Sequence, residues 1–229
     1  MSGLLSPLRM GEKGLESASI PRSARKAAVI ELARSWGFEE AHAVQVTKLA
    51  LELYGGLPPP KKNREWEREW LEYASLLHDI GYINGVRRHH KVSEAMICRA
   101  DLIGFRRSEK QIIAAVARAH RKRFPDADDP VFDGLGDDDR ESVRRLAGVL
   151  RIADGFDRTH RGLITSAQMR VSRNDCTISC KAVGGVDEEL RAAGRKSDVL
   201  QELLGVPVKF IVVSSGGFPE REGENGTTP

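Results

Sequence analysis

Histidine and aspartate residues that suit metal chemistry occur in the order His42, His78-Asp79 and Asp154. The dipeptide follows an apolar run and precedes a glycine, so we expect it to end a buried helix where a pocket opens. Imidazole nitrogen beside carboxylate oxygen suits a divalent ion such as Zn²⁺, Mn²⁺, Fe²⁺ or Mg²⁺. A single buried His-Asp pair is as often a hydrogen-bonded couple of the core. The metal hypothesis therefore depends on the distant residues.

Hydrophobic periodicity assigns these residues to separate helices. We predict helices over residues 22–36, 39–54, 61–78, 93–103, 109–120 and 140–159, with residues 87–91 as a basic loop. His42 shares the apolar stripe of the second helix, and Asp154 lies next to Ala153 late in the last one, so both face inward. An unpaired buried carboxylate is very unfavourable. A cation shared with the histidines and Asp79 would supply the partner that Asp154 needs.

The composition of the chain does not indicate a nucleic-acid-binding, exported or membrane-spanning protein. The 229 residues are 40% hydrophobic, which is enough for one core plus a small appended unit. Lys and Arg number 36 against 33 Asp and Glu, a net charge of +3 that does not indicate a specific nucleic-acid partner. Three cysteines without paired spacing indicate a reduced, cytoplasmic setting. No apolar stretch approaches the roughly 18 residues that span a bilayer, and no signal peptide is evident.

The predicted fold is mainly α, with a helical bundle over residues 22–165 followed by a small α+β unit over 166–213. Alternation at 168–172 and 176–180 predicts a hairpin, and a helix at 187–204 and a strand at 208–213 complete the order β-β-α-β. Residues 1–21 are interpreted as a loose lead-in, and residues 214–229 as a disordered tail.

The order H…HD…D resembles the HD superfamily of metal-dependent phosphohydrolases. More closely, LLHDIGY at 76–82, HHK-x-S at 89–93, AHRK at 119–122 and LRIADGFDRTH at 150–160 resemble the C-terminal HD domain of the exopolyphosphatase/guanosine pentaphosphate phosphatase (Ppx/GppA) family. Val92 departs from the pattern, since many relatives carry a histidine there. These residues also contain none of the Gly-rich phosphate loops of that family's N-terminal actin-like domains. We therefore expect the chemistry of those domains to be absent from this chain.

The resemblance implies one or two divalent ions, of Mn, Fe, Mg, Zn or a similar metal. The first would be held by His42, His78, Asp79 and Asp154. Asp79, the proposed catalytic carboxylate, would bridge to a second ion completed by His120 and by either His89 or His90. An ion of this kind can lower the pKa of its water from 15.7 towards about 7, which provides hydroxide for attack at phosphorus.

Positive residues near these motifs suit a phosphate-containing substrate, and Lys122, Arg151 and Arg158 are the predicted contacts. Arg151 and Arg158 flank Asp154 at helical spacing, so all three would share one helix face. The alternative is that both arginines form structural ion pairs. Two functions stay open: hydrolysis of a nucleotide, polyphosphate or other phosphate compound, and binding of polyphosphate or a nucleotide without turnover. A homodimer is compatible with either.

Overall fold

The computed structural model describes residues 20–85 and 87–213. Its α-helices are α1 (Arg22–Ser35), α2 (Glu40–Tyr54), α3 (Glu67–Leu77), α4 (His89–Arg99), α5 (Arg107–Arg118), α6 (Asp137–Phe156), α7 (Asp187–Arg195) and α8 (Asp198–Leu204). Its strands are β1 (Ile164–Val171), β2 (Cys176–Ala182) and β3 (Val208–Val213). The predicted lead-in up to residue 19 and the predicted tail lie outside the described residues.

The mainly α fold with a small α+β unit is confirmed, and α3 is its central helix. This helix packs between α2 and α5, and α6 packs against both of those helices. Every residue of α3 except Arg68 is buried. His78, which directly follows the last residue of α3, is likewise fully buried. No helix within 20–85 or 87–213 has the length and apolar character needed to cross a membrane.

Two helices begin four or more residues from their predicted starts, and a residue with a left-handed backbone explains each shift. Asn63 has φ 60° and cannot belong to a right-handed helix, so α3 begins at Glu67 instead of residue 61. Arg88 has φ 61°, and α4 begins directly after it instead of at residue 93. His89 and His90 therefore lie in the first turn of a helix and not in a loop.

The α+β unit packs against the helix that carries Asp154. Strand β2 pairs antiparallel with β1 and parallel with β3, and the predicted helix at 187–204 is broken into α7 and α8. A Cβ atom on Gly155 of α6 would lie 2.6 Å from the backbone nitrogen of Ala193, so only glycine permits this approach of α7. Phe156 and Phe210 contact edge to face, with ring centroids 5.6 Å apart. One hydrophobic core thus includes residues from both sides of the predicted boundary at 165.

A buried charge network holds the ends of α3 and α5 that lie away from the histidines. Arg25 of α1 contacts Glu69 at 2.8 Å and Glu109 at 2.7 Å, and its guanidinium lies 4.1 Å from the ring centroid of Phe105. All three charged residues are buried. This network fixes the start of two helices whose opposite ends deliver His78 and His120.

Replacing Arg25 by leucine should lower the free energy of unfolding by about 3–5 kcal/mol, because Glu109 would remain buried without a cation and Glu69 would keep only its longer contact with Arg22, at 3.8 Å. Urea denaturation followed by circular dichroism measures this change. The control is Arg34→Ala, which removes an exposed ion pair with Glu40 and should leave stability nearly unchanged. Equal losses in the two variants would contradict the structural role of the network.

The same network should make stability sensitive to acid. Burial raises the pKa of Glu109, but the hydrogen bonds from Arg25 and from the Arg106 amide outweigh it and hold the pKa below its ordinary value of 4.5. A carboxyl with a lowered folded-state pKa stabilises the protein above its unfolded-state pKa, and this contribution is lost as the pH falls through the folded-state pKa. Between about pH 3 and pH 6, Glu109→Gln should therefore show a shallower loss of unfolding free energy than the unmodified chain. Identical pH slopes in urea titrations would refute this.

Candidate metal centre

Three helices bring together a first group of ligand atoms from His42 of α2, His78 at the end of α3 and Asp154 of α6. The Nε2 atoms of His42 and His78 lie 3.6 and 4.0 Å from Asp154 Oδ1. All three ligand atoms lie within 4.8 Å of one another. This spacing is compatible with a single ion held between them.

A second group forms on the other side of Asp79. Its Oδ1 lies 3.2 Å from His89 Nε2 and 3.4 Å from His120 Nε2, and the two nitrogens are 3.3 Å apart. Its Oδ2 faces the first group, 3.5 Å from His78 Nε2 and 4.0 Å from His42 Nε2. The two oxygens of one carboxylate therefore face two separate sets of histidines.

Hydrogen bonds at Nδ1 orient the imidazole rings. His78 and His120 each donate from Nδ1 to a backbone carbonyl oxygen three residues earlier, at 2.7 and 2.6 Å. Nδ1 of His42 donates to Asp157 Oδ2 at 2.8 Å. With the proton on Nδ1, the lone pair of Nε2 points into the site, as is typical of histidines that bind metals.

Three buried atoms at the centre have no hydrogen-bond partner among the described residues: His42 Nε2, His78 Nε2 and Asp79 Oδ1. Buried polar atoms are nearly always satisfied, and leaving them unpaired is costly. They are nitrogen and carboxylate oxygen, which are the donor types of Zn²⁺, Mn²⁺ and Fe²⁺ sites. The residues present therefore fit a divalent ion.

The electrostatics of the centre favour positive charge. Burial lowers the pKa of His42, but the hydrogen bond to Asp157 and the negative charges of Asp154 and Asp157 raise it to about 9. Burial raises the pKa of Asp154, yet Lys196 and His42 hold it well below its ordinary value. The neighbouring histidines likewise outweigh burial and keep the pKa of Asp79 low. Both carboxylates are thus ionised, so the centre attracts a cation.

Gly81 and Ser93 bring α4 close enough for His89 to reach Asp79. A Cβ atom on Gly81 would lie 2.2 Å from the carbonyl oxygen of His89 and 2.7 Å from the Ser93 nitrogen. The Gly81 amide donates to Ser93 Oγ at 2.9 Å, and that hydroxyl donates to the carbonyl oxygen of His78 at 2.8 Å. Gly81 therefore serves close packing and does not end the helix, since α3 already ends at Leu77.

The structure separates the two adjacent histidines whose roles the sequence left open. His89 lies in the second group, whereas His90 lies outside both groups. The His90 ring is perpendicular to that of His89, with centroids 6.0 Å apart, and it lines a neighbouring pocket. The geometry thus favours His89 as the ligand and assigns His90 to a different surface.

The arginines do not occupy the predicted positions. Arg151 is buried and donates to the carbonyl oxygens of Ala119 at 2.9 Å and Lys122 at 2.8 Å, and to Asp198 at 2.7 Å. Arg158 lies beyond the end of α6 and does not share a helix face with Asp154. These contacts favour the alternative in which Arg151 is structural, because its guanidinium is committed to the protein. Lys122 is exposed, as a substrate contact requires.

Sequence reasoning missed three residues around the centre. Asp157 orients His42, Lys196 forms an ion pair with Asp154, and His160 stacks on His42 with ring centroids 3.9 Å apart. Asp157 had a weak signal, because it follows Asp154 by three residues within one motif. Lys196 had none, because it comes from the α+β unit and reaches the site only through the packing of α7 on α6.

Comparison with known proteins relates this geometry to a family. The family described as Ppx/GppA phosphatase, domain III, matches residues 24–189. A guanosine-5'-triphosphate,3'-diphosphate pyrophosphatase of Aeromonas hydrophila is 26% identical over 192 residues, which cover 82% of this chain and 38% of the relative. Proteins of the same name from Aeromonas salmonicida (24% over 192 residues, with the same shares) and Pseudoalteromonas translucida (30% over 104 residues, 43% of this chain and 19% of the relative) are also similar. The chain thus spans less than two fifths of the length of these relatives.

Gly81→Ala should disturb the second group and spare the first, because the added Cβ would push α4 and His89 away from Asp79. We expect Mn²⁺ titration by calorimetry to show a loss of affinity of about tenfold or more at one site, the range found when supporting contacts of metal ligands are removed. Gly136→Ala is the matched control, since a Cβ there meets no atom within 4 Å. Unchanged Mn²⁺ binding in Gly81→Ala would contradict this account of α4.

Proposed function

Since this chain belongs to the Ppx/GppA phosphatase family through its domain III, we propose that it is a metal-dependent phosphohydrolase of the HD type. Its substrate would be a phosphate ester or phosphoanhydride such as a nucleotide or polyphosphate. The observation that carries the proposal is that His42 Nε2 and His78 Nε2 of the first group and Asp79 Oδ1 of the second are all buried and have no hydrogen-bond partner in the described part of the chain.

The proposal assigns a set of ligands to each of two ions. The first ion would be held by His42, His78, Asp154 and one oxygen of Asp79, and the second by the other oxygen of Asp79, His89 and His120. The bound ions would supply Lewis acidity that acidifies water and offsets the charge on phosphate oxygens.

Residues around the ligands hold the centre in shape. Asp157 and the backbone carbonyls keep each Nε2 lone pair directed inward. Lys196 balances the outer oxygen of Asp154, which leaves Oδ1 for the first group. Tyr82 stacks on His89, with ring centroids 3.8 Å apart, and shields that ring from solvent while its own side chain remains partly exposed. These contacts preorganise the ligands before substrate arrives.

The names of the relatives support a phosphorylated nucleotide as the substrate, since they are pyrophosphatases of guanosine-5'-triphosphate,3'-diphosphate. The alignments cover at most 38% of those proteins, so the substrate of this chain is inferred from its own site as well. Exposed Lys122 beside the second group adds positive charge suited to phosphate oxygens.

A second candidate function is a regulatory module that binds polyphosphate or a nucleotide without turnover. Exposed Lys122 suits it equally, because a cation binds phosphate with or without turnover. The two candidates differ in one measurable respect, because only the hydrolase requires phosphate release that depends on the bound ion.

Asp79→Asn should reduce phosphate release by about 100-fold or more, because one carboxylate contributes to both ion sites and the amide cannot replace its charge. The assay measures phosphate released from nucleotides, polyphosphate and model esters with added Mn²⁺, together with the metal content of the purified protein. Asp101→Asn removes an exposed carboxylate and is the control.

Activity of Asp79→Asn equal to that of the unmodified chain would overturn the proposed hydrolase. Tight binding of polyphosphate by a chain that contains metal but releases no phosphate from any substrate would instead favour the regulatory module.

A further inference from the structure

Beside the second histidine group, we infer that a cationic pocket of about 220 Å³ binds a second phosphate group of the substrate, an inference that rests on the proposed function of the adjacent centre. The pocket lies between the start of α4 and the segment that follows α5. None of the residues proposed to bind it is assigned to the ions. The pocket would therefore select among substrates without performing the chemistry.

The pocket has more positive charge than its own carboxylates neutralise. Arg118 is committed to Glu94 at 2.8 Å and Asp129 at 2.6 Å, and Arg123 pairs with Asp126 at 2.9 Å.

Three further lining cations, Lys91, Arg121 and Lys122, form no ion pair with a carboxylate within residues 20–85 and 87–213. A concave surface with an excess of unpaired cations attracts a polyanion, and phosphate is the anion class already proposed for the neighbouring centre.

His90 supplies an independent observation that points to a ligand. Its side chain lines the pocket, it is only 9% exposed, and its Nδ1 has no hydrogen-bond partner within the described ranges. An anion oxygen in the pocket would accept a hydrogen bond from this nitrogen. His90 lies outside both metal groups and lines the pocket, so it is available to the second phosphate and not to the ions.

Lys122, in the segment that follows α5, has an unfavourable backbone conformation. Its φ is 65°, which is rare for a residue other than glycine. Buried Arg151 donates to the carbonyl oxygens of Ala119 and Lys122 and so clamps the turn. Strain kept at one residue by buried contacts is typical of functional sites. Arg151 is accordingly a positioning residue for the pocket.

The pocket and the metal centre are close enough for one substrate to reach both. Arg121 lines the pocket, and its Nη1 lies 3.1 Å from both ring nitrogens of His89. His89 and His90, which face the two sites, are adjacent in sequence. A compound with consecutive phosphate groups can place one at the ions and another in the pocket, whereas a phosphomonoester with an apolar leaving group can use only the first.

Kinetics with two substrates test the pocket. Lys91→Ala and Lys122→Gly, assayed on the full chain with Mn²⁺, should each raise the KM for inorganic tripolyphosphate about tenfold, the value of one charge-assisted hydrogen bond. For Lys91→Ala, the KM and kcat for p-nitrophenyl phosphate should stay within about twofold, because that ester does not reach the pocket and Lys91 has no part in the metal centre. Glycine suits the left-handed backbone at 122, so this variant removes the side chain without adding strain.

The first control is Arg173→Ala, which removes an exposed charge from the β1–β2 turn. The second is Lys122→Arg, which keeps the positive charge and should bind tripolyphosphate as the unmodified chain does. Equal effects of Lys91→Ala on both substrates, or an equal effect of Arg173→Ala on tripolyphosphate, would overturn the inference. Thermal unfolding of each variant ensures that the proteins compared are folded.

Calorimetric titration with tripolyphosphate separates this inference from the proposed function. A chain that never releases phosphate, but whose tripolyphosphate affinity falls about tenfold in Lys91→Ala and Lys122→Gly, would refute the hydrolase and support the pocket. Affinity unchanged in both variants would refute the pocket, whatever the catalytic result.

Discussion

A carboxylate buried among imidazoles is the constraint on which the rest of the molecule depends. Asp79 lies two residues after the end of α3, and each of its oxygens faces a different pair of histidines. An ionised carboxylate inside a protein is stable only when positive charge is close to it. The surrounding helices are packed so that positive charge can gather around Asp79. Their ends meet there, and the hydrophobic core holds those ends in fixed positions.

Close backbone contacts achieve this arrangement. Gly81 and Gly155 lie where a Cβ atom would meet backbone atoms of α4 and α7, so each allows a neighbouring helix to approach. The first contact brings His89 to Asp79, and the second brings Lys196 to Asp154. Both glycines belong to the HDIGY and ADGFD motifs, which therefore encode packing as well as ligands. A conservative change beside a ligand can thus affect the centre without removing a donor atom.

The α+β unit and the bundle also contribute jointly to the surface around the centre. Arg151 of α6 joins the turn after α5 to Asp198 of α8, and this link shapes the pocket that contains Lys122. Three different sets of residues thus have three roles. One set orients the metal ligands, another shapes the pocket, and a third would touch phosphate. This division explains why arginines near the motifs need not contact the substrate.

The sequence alone determined the helical class, the small α+β unit and the four ligands His42, His78, Asp79 and Asp154 as candidates, because helical periodicity and burial of polar types are local signals. It also indicated His120 and narrowed the remaining ligand to His89 or His90.

Only the tertiary structure distinguished these two, since the choice depends on where α4 begins after Arg88 and on the packing of Gly81 against it. Asp157, Lys196 and the role of Arg151 likewise depend on contacts between segments far apart in the chain. The direction of a side chain across such a contact depends on how distant segments pack. The sequence contains no periodic pattern that predicts this packing.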